Sequence, residues 1–137
     1  MTIVGFNFTK IEAEKKELTK GKIKINNNVS ITDVGEKNIS VGTDKQKILR
    51  YSFEFVSKYD PNVGMIKLIG NVLYMNDSKK VKEIIGGWKK DKKLPKELMA
   101  SILNTVLNKC NVQALILSER ISLPSPIELP KIQQQKE

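Results

Sequence analysis

The stretch "KILRYSFEFVSKYDPNVGMIKLIGNVLYMND", residues 47–77, constrains the fold more than any other part of the chain. Its first half alternates, with Leu49, Tyr51, Phe53 and Phe55 on one side and Arg50, Ser52 and Glu54 on the other. That is the period of a half-buried strand. "YDPNVG" reads as a turn: Asp60 can accept backbone hydrogen bonds, Pro61 presets φ, and Gly64 can take positive φ. "MIKLIGNVLYM" returns as the second arm of a hairpin. Ile66, Leu68, Val72 and Tyr74 line one side of this arm, but Met65, Ile69 and Leu73 line the other. A strand apolar on both faces is normally buried on both. Leaving three such side chains in water forgoes about 1.5 to 3 kcal/mol each. Met65, Ile69 and Leu73 therefore mark a subunit interface or a binding groove, unless another segment of the chain covers them.

Two further strands precede the hairpin. In "VGFNFTKIEAEK" Phe6 and Phe8 alternate, then the phase slips so that Ile11 and Ala13 oppose Lys10, Glu12 and Glu14, which predicts a bulge near Thr9. "KGKIKINNNVSITDV" sets Ile23, Ile25, Val29 and Ile31 against Lys22, Lys24, Asn26 and Asn28. Gly35 and Gly42 break the loop that follows.

Helical spacing begins after the hairpin. Asp77 or Ser78 can cap a short helix in which Val81, Ile84, Ile85 and Trp88 recur, with Gly86 and Gly87 expected to weaken or end it. The main helix starts near Pro95, a favoured first-turn residue. Leu98, Met99, Ile102, Leu103, Val106, Leu107 and Cys110 form its broad apolar face, and Asn111 is a candidate left-handed terminator. "VQALILSER" is then a second helix or a packed turn. "ISLPSPIELPKI", with prolines at 124, 126 and 130, must be extended, because proline lacks an N–H and fixes φ. Its Leu123, Ile127 and Leu129 need an apolar surface, on this protomer or a partner; the spacing is not the P-x-x-P of a signalling ligand. Four strands, then helices, then a ribbon imply an α+β fold: a four-stranded antiparallel sheet with a long C-terminal helix and a shorter one on one face. Residues 1–132 read as a single domain and 133–137 as a polar tail.

The chain has 137 residues, a hydrophobic fraction of 39%, one cysteine and no histidine. It is long enough for a core without disulfides or metals. Lacking histidine, it cannot build a Ser-His-Asp triad, a Cys-His pair or a His-containing zinc site. Glu12, Glu14 and Glu17 show no companion carboxylates placed to shift them, so an enzyme, a metal site and a cofactor are not expected. Cys110 fits a reducing compartment and a small buried hydrophobe. No signal-peptide pattern opens the chain and no apolar run reaches membrane-span length, so a cytoplasmic protein without membrane insertion is expected.

Charge is the second signal. Of the net +9, residues 78–96 contribute +6: Lys79, Lys80, Lys82, Lys89, Lys90, Lys92, Lys93 and Lys96 against Glu83 and Asp91. Arginine occurs only at 50 and 120, and lysine point charges suit phosphate backbones or acidic surfaces. The cluster is either a solvated surface or a site for RNA phosphate, as in a ribosome-associated protein. Trp88 could stack on a base, but its helical spacing favours the core.

The order of these elements, "FNFTKIEAEK", hairpin strands, the long helix "LPKELMASILNTVLNKC", then "ISLPSPIELPKI", resembles the SecB-type protein-export chaperones and their SecB-like relatives, archaeal ones included. The resemblance spans nearly the whole chain. It implies a cofactor-free dimer or tetramer that holds unfolded or apolar polypeptide without ATP, with Met65, Ile69, Leu73, Leu123, Ile127 and Leu129 lining the groove. Bacterial SecB chaperones are acidic where this chain is basic, so their docking residues for the export motor do not carry over.

Overall fold

A computed structural model describes residues 2–16, 21–37 and 46–128. Four strands form one antiparallel sheet: β1 (Thr2–Lys15), β2 (Lys24–Lys37), β3 (Gln46–Asp60) and β4 (Gly64–Asp77). Their order is β1-β4-β3-β2, so the first two strands in sequence lie at opposite edges. Helices α1 (Ser78–Asp91) and α2 (Lys96–Arg120) follow. No helix among the described residues is long and apolar enough to cross a membrane.

The register turns alternation into layers. Rows such as Ile11–Leu68–Phe55–Val29 and Phe8–Gly70–Phe53–Ile31 run across all four strands on the inner face. The slip between Phe8 and Lys10 keeps Phe6, Phe8, Ile11 and Ala13 on that face, as the sequence phase predicts. A slip in β2, between Ile31 and Asp33, does the same for Ile31 and Val34. Gly70 sits mid-row because a Cβ there would collide with the Asn7 carbonyl and the Phe53 ring. In its place Phe6 stacks on Phe53 at 5.2 Å, and Phe8 meets Phe53 edge-on at 6.1 Å.

Both helices lie on the inner face. Asp77 caps α1 by accepting from the Lys80 N–H at 2.8 Å, and Val81, Ile84 and Trp88 are buried. Of the two expectations for Gly86 and Gly87, that they weaken the helix or end it, the second is ruled out, because α1 runs through both. Burial of Ile84 and Trp88 on either side offsets a glycine penalty of about 1 kcal/mol apiece. It stops at Lys92, which takes the left-handed conformation (φ 56°). Asn111 does not end α2 either: the helix absorbs "VQALILSER" because Ala114 and Ser118 continue the buried stripe of Ile102, Val106 and Cys110. The hairpin turn places Asn62, and not Gly64, at positive φ (53°). Gly64 is needed for space, since a Cβ would lie 2.5 Å from the Glu14 carbonyl and 3.2 Å from Leu123.

Candidate functional site

The outer face carries Met65, Ile69 and Leu73, as read from the sequence, and neither helix lies on it. They do not form a continuous patch. The register puts Met65 between Glu14 and Lys58, Ile69 between Lys10 and Glu54, and Leu73 between Gly5 and Arg50. Leu73 leans over Gly5, where a Cβ would sit 3.2 Å from Cδ1, and Arg50 lies over Gly35 while pairing with Asp33 at 3.2 Å. The three apolar side chains are half-buried by strand neighbours alone, so the expectation that they need a separate cover is corrected. What remains is a row of apolar stations about 13 Å apart, separated by Lys67 and Asn71. A shallow depression of about 430 Å³ opens between Asn28, Val56 and Met65.

The proline ribbon is elsewhere. Ser122 turns the chain with φ 57°, and the Leu123 N–H returns to the Ser118 carbonyl at 2.8 Å. Leu123 is then buried against Gly64. Tyr59 Oη donates to the Pro124 carbonyl at 2.8 Å, and Asn27 Nδ2 donates to the Pro126 carbonyl at 2.7 Å. Asn27 Oδ1 in turn accepts from Ser57 Oγ at 2.6 Å. All of these anchors belong to inner-face rows, so the ribbon packs on its own protomer beside the helices. The two halves of the sequence-derived groove are therefore on opposite faces: Met65, Ile69 and Leu73 outside, Leu123 and Ile127 inside. Leu129 and the 133–137 tail lie outside the described residues.

Other apolar side chains are more exposed. Ile3, Val4 and Ile11 on edge strand β1 are 46%, 43% and 48% exposed, and Val112 and Ile116 on α2 are 59% and 44% exposed. Sequence reasoning placed Ile11 by its phase alone, without its exposure, and passed over the other four. The signal for Val112 and Ile116 was present, in that "VQALIL" puts apolar residues on every side of a helix that can bury one. A groove of about 690 Å³ also separates the starts of the two helices, with Ile84, Pro95 and Leu98 beside Asp77, Lys80 and Glu83.

The eight lysines from Lys79 to Lys96 are all exposed. None forms an ion pair among the described residues, whose four salt bridges all involve strand residues. Trp88 is only 6% exposed, and Lys92 Nζ lies 5.6 Å from its ring centre, so the indole is not presented for stacking on a base. Burial pushes the Cys110 thiol up to about 12, leaving it protonated and unreactive at neutral pH. No cluster of metal-ligating side chains occurs among the described residues.

With this geometry in hand, the comparisons separate fold from sequence. No family model and no curated protein matches the sequence. Among solved structures the chain is similar to the Mycobacterium tuberculosis Rv1957 SecB-like chaperone, determined in complex with a ChAD peptide from the Rv1956 HigA1 antitoxin. The two share 12% identity at a TM-score of 0.51, over 98% of this chain and 92% of that one. The fold is SecB-like. The likeness extends from the first strand to the segment after α2, and it is carried by the order of elements.

Proposed function

We propose that the protein is a non-enzymatic, SecB-like chaperone of the cytoplasm that holds apolar stretches of other polypeptides and acts as a homo-oligomer. The observation that carries this reading is the group of five exposed apolar side chains on β1 and α2. In a stable monomer, Ile3, Val4, Ile11, Val112 and Ile116 would be a liability. β1 is also an edge strand, paired only with β4 among the described residues. An unpaired edge with apolar flanks favours strand addition by a second copy, as a dimer or tetramer. The outer face then stays open to clients. Met65, Ile69 and Leu73 offer apolar stations bracketed by charges, suited to an extended segment with intermittent apolar residues. Ile127, half-buried in the ribbon on the inner face, lies apart from that outer row, and Leu123 is taken up by the protein's own core. A SecB-like protein bound to a peptide supports a polypeptide partner.

Two measurements test the reading together: mass by light scattering, and suppression of aggregation of a chemically unfolded client. Ile116→Asp is expected to lower the mass. Ile69→Asp is expected to keep the mass and weaken suppression several-fold. A wild-type protein that is monomeric, or that leaves aggregation untouched, would sink the corresponding half of the proposal.

A further inference from the structure

We propose that the solvent side of α1, continued by the α1–α2 loop, is a docking surface for the phosphate backbone of nucleic acid, separate from the outer sheet face assigned to polypeptide. Its placement follows from helix geometry. Val81, Ile84 and Trp88 fix the buried side of α1, and at 100° per residue Lys79, Lys82, Lys89 and Lys90 project from the opposite side. Lys92, Lys93 and Lys96 follow beyond the helix end and are exposed, Lys92 over the Trp88 ring.

Two features set this stripe apart from an ordinary solvated helix. Solvated helices lace their lysines with carboxylates three or four positions away. Here Glu83 stands four positions after Lys79, but the position four after Lys82 and four before Lys90 is Gly86. The glycine is exposed, and a Cβ added there would meet nothing within 4 Å, so packing does not require it. It leaves a flat gap flanked by Lys82, Lys89 and Lys90, with Glu83, three positions earlier, as the one carboxylate on this side of the helix, and another backbone can approach closely there.

The chemistry of the stripe selects phosphate over an acidic protein. Protein interfaces carry an apolar or aromatic centre, whereas Lys79, Lys82, Gly86, Lys89 and Lys90 present none and Trp88 is turned inward. Lysine without arginine or an exposed ring supplies charge without base readout. Binding is therefore expected to be indifferent to sequence and steep in salt.

The test measures affinity of the full chain for a short mixed-sequence RNA duplex, the same DNA duplex and a poly-glutamate peptide across a salt series. The triple variant Lys82→Gln, Lys89→Gln, Lys90→Gln is expected to flatten the slope of log affinity against log salt by about 2 to 3. Equal charge removal elsewhere, Lys24→Gln, Lys58→Gln, Lys109→Gln, is expected to change it little. Gly86→Glu should weaken binding by placing a second carboxylate, beside Glu83, among the lysines. Which duplex binds identifies the nucleic acid. Binding to neither duplex at low salt, equal loss in both triple variants, or poly-glutamate bound as tightly as the duplexes would each overturn the proposal. Thermal unfolding at or above the wild-type midpoint confirms that the exposed substitutions leave the fold intact.

Discussion

Tyr59 and Pro124, 65 positions apart in the chain, are joined by a 2.8 Å hydrogen bond from the phenol to the backbone carbonyl. Proline has no N–H to offer a sheet or helix, so its carbonyl is the only backbone group through which this residue can be anchored. The bond holds the ribbon across the end of β3, next to the Asn27–Pro126 contact. Tyr59→Phe is expected to cost about 1 kcal/mol in urea unfolding. Faster amide exchange at Leu123 and Ile127 would show that the ribbon loosens before the sheet does.

The glycines at 70 and 86 should respond to alanine in opposite directions. At Gly70 the new Cβ meets the Asn7 backbone and the Phe53 ring, neither of which can withdraw without disturbing the aromatic cluster. A loss of about 1 to 3 kcal/mol or more is expected. At Gly86 the Cβ enters open space on a helix, and a gain of about 0.5 to 1 kcal/mol is expected. Thermal unfolding of both variants checks the pair.

Stability should fall at alkaline pH. Burial raises Cys110 to about 12 from 9.0, and also raises Tyr51 and Tyr59 above 10.0; for Tyr59 the Ser57 hydrogen bond works in the lowering direction. The folded state keeps these protons while the unfolded chain releases them. Their contribution is thus fully present below pH 9 and is lost as pH rises through the unfolded values toward the folded ones. Each group adds a slope of up to about 1.4 kcal/mol per pH unit in that window. Urea midpoints measured between pH 8 and 11 should fall steadily above 9, and a flat profile would contradict the burial of these groups.

Tyr51→Phe is expected to be neutral or stabilising. The Tyr51 hydroxyl is buried and has no hydrogen-bond partner among the described residues, and its ring meets Tyr74 edge-on at 5.6 Å. Removing the oxygen relieves an unmet desolvation cost while the ring contact stays. Chemical unfolding at neutral pH decides the sign.

Cys110 should resist thiol reagents in the native protein at pH 8 and react at once in denaturant. Complete burial and a raised pKa both suppress the thiolate. Fast labelling of the native state would mean that α2 opens locally.

The sequence by itself determined the strands, their inward faces, the bulge at Thr9, a cap at Asp77 or Ser78 and the start of α2 near Pro95. Each depends on residues within a few positions, where a period of two or 3.6 maps directly onto a face. Only the tertiary structure decided that β1 and β2 take opposite edges, that α2 runs on past Asn111, and that the ribbon docks on the inner face. Local signals at Asn111 and at Gly86 and Gly87 were overridden because burying Ala114 and Trp88 against a distant sheet outweighs a terminator or a glycine penalty. Met65, Ile69 and Leu73 show the same division. Their face was legible from alternation, but the charges that bracket each of them come from β1 and β3, and only the strand register brings those neighbours alongside.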